Sequence, residues 1–214
     1  EILCVVSSFN APFPLDVYRF FRELGTEFIT FLPLVIKVPG TKSTVTDSTV
    51  KPAEFGDFLI AVFDEWLEHD IGRIKIQIVE ETLRSAFSHD HTLCIFKENC
   101  GRVPVVEHNG DFYSCDHFVD ASHLIGNIME DTLEELLNNQ KQIAFGRAKY
   151  YTLPDYCRKC EVLKLCNGEC PKNRFILTPE GEEGLNYLCQ GYKKFFNHCR
   201  PFIKSVAELW SARE

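Results

Sequence analysis

The chain has 214 residues, 45% of them apolar and 18 of them Phe, enough for one large or two small domains with a buried core, which excludes a disordered tail or a miniprotein. Thirty-one acidic against 23 basic side chains give a formal charge of -8, which repels phosphate backbones and anionic headgroups, so neither nucleic acid nor a membrane surface is expected as a partner. No apolar run approaches the roughly 20 residues of a membrane span and no basic-then-apolar leader opens the chain, so a soluble protein is expected.

In chain order, Ile2 to Val6 is a short apolar run of the kind that forms a strand buried on both faces. Such a strand needs neighbours, and no earlier parallel strands are in this sequence, which points to a piece of a longer protein. Pro12 and Pro14 break the pattern; Val17, Phe20, Phe21 and Leu24 then recur at helical spacing until Gly25 supplies a stop. Phe28 to Leu32 predicts the next strand, completing a βαβ unit with a parallel sheet. A polar loop follows over residues 42–48. Pro52 suits a first helical position, and Phe55, Leu59, Val62, Phe63 and Trp66 mark an amphipathic helix behind it. Ile74, Ile76 and Ile78 alternate with Lys75 and Gln77, the period of a strand with one solvated face.

Beyond residue 88 the character changes: eight of the ten cysteines lie between Cys94 and Cys189, and long periodic segments become scarce. The expected division is therefore 1–88 as an α/β portion and 89–214 as a cysteine-rich domain. Val103 to Glu107 and Phe112 to Ser114 flank His108-Asn109-Gly110-Asp111, a strong hairpin signal. Thr132 and Glu135 form a capping box for a short helix. From Leu185 to Trp210 a helical pattern returns, with Pro201 expected to interrupt it.

The cysteine spacings are Cys94-x5-Cys100-x14-Cys115, then Cys157-x2-Cys160-x5-Cys166-x3-Cys170, then x18 to Cys189. A cubane iron-sulfur cluster takes four thiolates, and short intervals let neighbouring ligands reach one cluster or be divided between two. Zinc also accepts four cysteines, but zinc ribbons usually pair two x2 knuckles, and one such pair is present here. An even count permits disulfides as well. From spacing, iron-sulfur ligation leads and zinc and disulfides remain open.

The run Cys157-Arg158-Lys159-Cys160-Glu161-Val162-Leu163-Lys164-Leu165-Cys166-Asn167-Gly168-Glu169-Cys170-Pro171, with Cys94, Cys100 and Cys115 before it and Cys189 after it, resembles the SPASM domain of radical S-adenosylmethionine enzymes. Ser114-Cys115-Asp116, Leu124-Ile125-Gly126-Asn127-Ile128 and Asn186-Tyr187-Leu188-Cys189 narrow the resemblance to the anaerobic sulfatase-maturating enzymes. The resemblance implies an α+β chain: the C-terminal βα units of a partial (β/α) radical SAM barrel over 1–88, then a SPASM domain with a β-hairpin and short helices over 89–214. It further implies two auxiliary 4Fe-4S clusters with interleaved ligands, Cys94, Cys100, Cys115 and Cys170 for one and Cys157, Cys160, Cys166 and Cys189 for the other. Asp116 would be the general base that takes the proton from a substrate Cys or Ser during its oxidation to formylglycine. The clusters would receive the substrate electron and pass it on. The partners implied are a sulfatase peptide containing Cys or Ser and an electron carrier such as ferredoxin or flavodoxin, in a reducing cytoplasm.

The CxxxCxxC motif that holds the S-adenosylmethionine cluster of that superfamily is absent from these 214 residues. S-adenosylmethionine and a third 4Fe-4S cluster are thus expected of the parent enzyme alone, and this piece by itself is expected to be silent. Without the resemblance, Asp116 reads as a turn cap after the hairpin. Cys4 is expected to be a buried small hydrophobe and Cys199 an inert helix thiol. His89 and His91 flank Asp90 in a chelating pattern that a polar linker explains better, and neither His108 nor His117 is assigned a role. Two alternatives stand beside the maturase: a SPASM enzyme that builds thioethers or crosslinks in peptides, and a non-catalytic metal-binding module that holds a partner peptide.

Overall fold

The computed structural model describes residues 1–212. β1 (Ile2–Val6), α1 (Pro14–Glu23), β2 (Phe28–Pro33), α2 (Pro52–His69), β3 (Lys75–Ile76) and α3 (Gln77–Arg84) follow in order. Then come β4 (Val105–Val106), β5 (Asp111–Tyr113), β6 (Leu124–Asn127), α4 (Leu133–Leu137), α5 (Gln140–Tyr151), α6 (Asp155–Arg158), α7 (Leu163–Cys166) and α8 (Cys189–Ser211). The chain is α+β and forms two compact units. One comprises residues 1–91, 164–166 and 187–214, the other 92–163 and 167–186.

In the first unit, β1, β2 and β3 form a parallel sheet in that order, Ile2 facing Ile29 and Ile29 facing Ile76 in register. Helical crossovers connect the strands, as parallel pairing requires. Pro14 and Pro52 open α1 and α2, where their missing N–H costs nothing, and Gly25 leaves α1 at φ +74, a conformation that favours glycine. The core is aromatic. Phe55 packs edge-on against Tyr192, and Phe63 packs against both Phe195 and Phe202, so α8 lies along α2. Each such pair is worth about 0.5–1.5 kcal/mol beyond the area it buries. A polar clasp joins α1 to the C-terminal end of α2. Arg19 donates twice to Glu65 at 2.9 and 2.8 Å, and the Tyr18 hydroxyl donates to fully buried Asp70 at 2.9 Å.

Three expectations change here. β1 is not buried on both faces: Leu3 is 62% and Val5 50% exposed, because β1 is an edge strand of this sheet and the described residues cover one of its faces. Cys4 is accordingly half-buried. The Ile74–Ile78 alternation yields just two residues of strand, after which Gln77 begins α3. Ile78, Val79 and Thr82 are buried on that helix, whose spacing accommodates Ile78 as readily as a strand would. α8 runs unbroken through Pro201 from Cys189, four residues later than the pattern suggested.

In the second unit, β4, β5 and β6 form an antiparallel sheet, with Val106 facing Phe112 and Phe112 facing Gly126. The Asn-Gly turn forms as expected: Gly110, at φ +89, donates its N–H to the Glu107 carbonyl. The capping box of α4 is complete, with Thr132 and Glu135 bonded reciprocally. α5 had no counterpart in the apolar pattern. Its buried residues are Gln142, Gly146 and Lys149, not an apolar stripe. No helix among the described residues is long and apolar enough to cross a membrane.

Candidate metal centre

Gln142, Gly146 and Lys149 recur at i, i+4 and i+7, which places them on one face of α5, and that face binds the backbone around three of the expected cysteine ligands. The Gln142 amide donates to the carbonyls of Gly101 at 2.6 Å and Ser114 at 3.2 Å, next to Cys100 and Cys115 respectively. At Gly146 the helix touches Cys100 itself: Cys100 donates its N–H to the Gly146 carbonyl at 3.1 Å, and a Cβ on Gly146 would lie 2.5 Å from the Cys100 carbonyl oxygen. Lys149, 1% exposed, donates from Nζ to the carbonyls of Cys94 and Ile95 at 2.7 Å each and to that of Lys97. An ammonium group has three protons to donate, and this one places all three on carbonyls of a single turn.

The fourth expected ligand, Cys170, follows three residues in left-handed backbone: Asn167 (φ +46), Gly168 (φ +69) and Glu169 (φ +51). Such a run is unfavourable for L-residues and must be held from outside. Arg174 holds it, donating to the carbonyls of Gly168 and Asn167 at 2.8 Å each and Glu169 at 3.1 Å. Its fourth bond goes to the carbonyl of Lys149. Glycine suits position 168: its φ favours glycine, and a Cβ there would press on the side-chain ends of Leu153 at 2.3 Å and Arg174 at 2.6 Å. Asn167 joins this loop to the Cys94 turn by donating to the Phe96 carbonyl at 2.7 Å. Buried Glu169 accepts from the side-chain amides of Asn173 and Asn186.

Cys94, Cys100, Cys115 and Cys170 therefore share one neighbourhood. Burial pushes the Cys170 thiol up to about 12 and the Cys115 thiol up to about 11, and raises that of Cys100; a negative Cys94 adds to the rise in all three. Lys149 and Arg174 oppose the rise at Cys100. Burial, with the positive Arg174 beside it, lowers Lys149 to about 8. Four thiol sulfurs backed by two cations form a soft, anion-compensating donor set, which suits iron and sulfide. Among the described residues, no three His, Cys, Asp or Glu side chains close around one point as a single ion would need.

Of the other expected ligands, Cys157 on α6 and Cys160 belong to the second unit. Burial raises the Cys157 thiol and Cys160 raises it further. Cys166, ending α7, and Cys189, the first residue of α8, belong to the first. None of the ten cysteines is disulfide-bonded. Asp116 follows Cys115, whose thiol points at its Oδ1 from 3.1 Å, and its side chain is 61% exposed, open to an incoming group. His117 Nδ1 is 3.9 Å from the same carboxylate oxygen. His91 is no surface linker residue: its Nδ1 lies 3.0 Å from Glu81 Oε2 and its Nε2 3.0 Å from the Lys164 carbonyl, with the side chain 10% exposed. Sequence reasoning missed Gln142, Lys149 and Arg174, for which no motif offers a signal.

Residues 94–161 match the model of the SPASM family, described as an iron-sulfur cluster-binding domain. The chain is 42% identical over 214 residues to the serine-type anaerobic sulfatase-maturating enzyme of Bacteroides thetaiotaomicron, covering 94% of this chain and 52% of that protein. It is 32% identical over 209 residues to the cysteine-type anaerobic sulfatase-maturating enzyme of Clostridium perfringens strain 13, covering 97% of this chain and 56% of that protein. Among solved structures, native anSMEcpe with bound AdoMet superposes with a TM-score of 0.82 at 30% identity, over 97% of this chain and 56% of that one. Native anSMEcpe with bound AdoMet and the Cp18Cys peptide superposes with the same TM-score of 0.82. The chain thus spans little more than half the length of the relatives it matches, 52% and 56%.

Proposed function

We propose that this chain is the C-terminal part of a radical S-adenosylmethionine enzyme that oxidises a Ser or Cys of a sulfatase peptide to formylglycine, and that its own share of the work is to hold two auxiliary 4Fe-4S clusters. One observation carries the reading: a single face of α5 fixes the backbone at Cys94, at Cys100 and next to Cys115, three of the four cysteines that the family resemblance assigns to one cluster. The similarity to serine-type and cysteine-type maturases over 94% and 97% of this chain supports the substrate class.

In this reading Cys94, Cys100, Cys115 and Cys170 ligate the first cluster and Cys157, Cys160, Cys166 and Cys189 the second, with residues 1–88 as the barrel portion and 89–214 as the SPASM domain. A bound 4Fe-4S cube supplies a site that takes up or releases one electron. The chain's own residues do the rest. Asp116 presents an exposed carboxylate beside the Cys115 ligand and accepts the proton of the substrate hydroxyl or thiol. Binding of S-adenosylmethionine and of a third cluster falls to the longer protein. A ferredoxin- or flavodoxin-like carrier and a reducing cytoplasm complete the assignment.

Anaerobic reconstitution of the purified chain with iron and sulfide tests it. The expected result is about eight iron and eight sulfide per chain, falling to about four of each in a C115A/C170A variant and in a C157A/C160A variant. Tight zinc binding with no labile sulfide would sink the cluster assignment.

A further inference from the structure

One buried cation, Lys149, stands behind the first set of cysteines, and it is bonded to carbonyl oxygens rather than to carboxylates. Lys149 spends its three protons on Cys94, Ile95 and Lys97, and Asn167 takes Phe96, so four successive carbonyls of the Cys94 turn are drawn to one side. The nearby carboxylate, Glu169, is bonded to Asn173 and Asn186. Lys149 thus keeps its formal charge uncancelled by any hydrogen-bonded acid, within electrostatic reach of Cys94 and Cys100. At 1% exposure solvent does little to screen it.

We infer that Lys149 is a positioning and charge-compensating residue for the Cys94, Cys100, Cys115 and Cys170 set, fixing the Cys94 turn and raising the reduction potential of the cluster that this set holds. The inference rests on the cluster reading above. A centre bound by four thiolates gains one negative charge when reduced, and a buried positive charge beside it stabilises that reduced form relative to the oxidised one. A carbonyl clasp without charge would order the turn equally well and leave the potential alone.

The test is a midpoint-potential titration, with dithionite as reductant and paramagnetic resonance as readout, on the reconstituted C157A/C160A chain, so that the first cluster is observed by itself at constant pH near 7. Lys149→Met removes the charge and keeps an unbranched chain of similar length; Lys149→Arg keeps the charge. The expected result is a more negative potential in K149M and one near the parent's in K149R, with iron and sulfide retained in both. An unchanged or more positive potential in K149M overturns the inference. Loss of iron from K149M with retention in K149R supports the need for charge, whereas loss from both variants overturns it in favour of side-chain shape. A parent chain that takes up no iron and sulfide fails at the earlier step, and the cluster reading falls before the variants are compared.

Discussion

Gly56 and Gly191 meet backbone to backbone: a Cβ on Gly56 would lie 2.8 Å from the Cα of Gly191, and a Cβ on Gly191 would lie 2.2 Å from the Pro52 carbonyl oxygen. Glycine at both positions lets α2 and α8 approach to this distance, which brings Phe55 onto Tyr192 and Phe63 onto Phe195. Because Gly191 is two residues past Cys189, the same contact fixes where α8 starts and hence where that thiol stands.

Gly191→Ala is therefore expected to destabilise the chain by about 1–3 kcal/mol, since a helix must shift to relieve contact with a backbone oxygen. Urea unfolding followed by circular dichroism reads this directly. Wild-type stability in G191A would contradict the close crossing.

The Arg19–Glu65 clasp gives a pH dependence with a definite sign. The Arg19 guanidinium, hydrogen-bonded to Glu65, holds that carboxyl well below its usual range, at about 2. The unfolded chain binds the proton at about 4.5, so the clasp contributes fully above that pH, and its contribution fades as pH falls toward about 2. Glu65→Gln should be about 1–3 kcal/mol less stable at pH 7 and show a flatter stability profile between pH 4.5 and 2. Parallel profiles for the two proteins would argue against the clasp.

Cys199 is 1% exposed on α8, and burial, with Asp64 beside it, pushes its thiol up. Iodoacetamide treatment of the native apo chain followed by peptide mass spectrometry should leave Cys199 unmodified while half-buried Cys160 is labelled, and denaturant should abolish the difference.

Gly146→Ala places a methyl group 2.5 Å from the Cys100 carbonyl oxygen and so displaces the backbone of a proposed ligand. After reconstitution the variant should hold about half the wild-type iron, with the loss confined to one cluster.

On the proposed function, Asp116→Asn made in a full-length maturase containing this chain is expected to keep full iron content and to lower formylglycine formation by about 10²–10⁴-fold, the usual weight of a positioned base. Undiminished turnover of a sulfatase peptide would instead leave Asp116 as a cap on the turn after β5.

Elements whose signals are local were legible in the sequence. Pro52 and the aromatic stripe gave α2, the Asn-Gly pair gave the hairpin, and Thr132 with Glu135 gave the start of α4. Where local signals fit two structures, the sequence misled: Ile78 satisfies a strand alternation and a helix face alike, and Pro201, although it lacks an N–H, lies within an unbroken α8.

The cysteine intervals could be read directly, because residue type and spacing are properties of the chain itself, whereas a role for Asp116 came only with the family resemblance. What gathers those cysteines could not be read, because α5 buries Gln142, Gly146 and Lys149 where an amphipathic helix would bury apolar side chains. A buried amide and ammonium are tolerable only when carbonyls elsewhere receive their protons, and Lys149 finds its partner in the carbonyl of Cys94, 55 residues away. Sequence thus determined which atoms are available for ligation, and tertiary structure decided which backbone dipoles and buried charges surround them, since that depends on segments that meet only once the chain has folded.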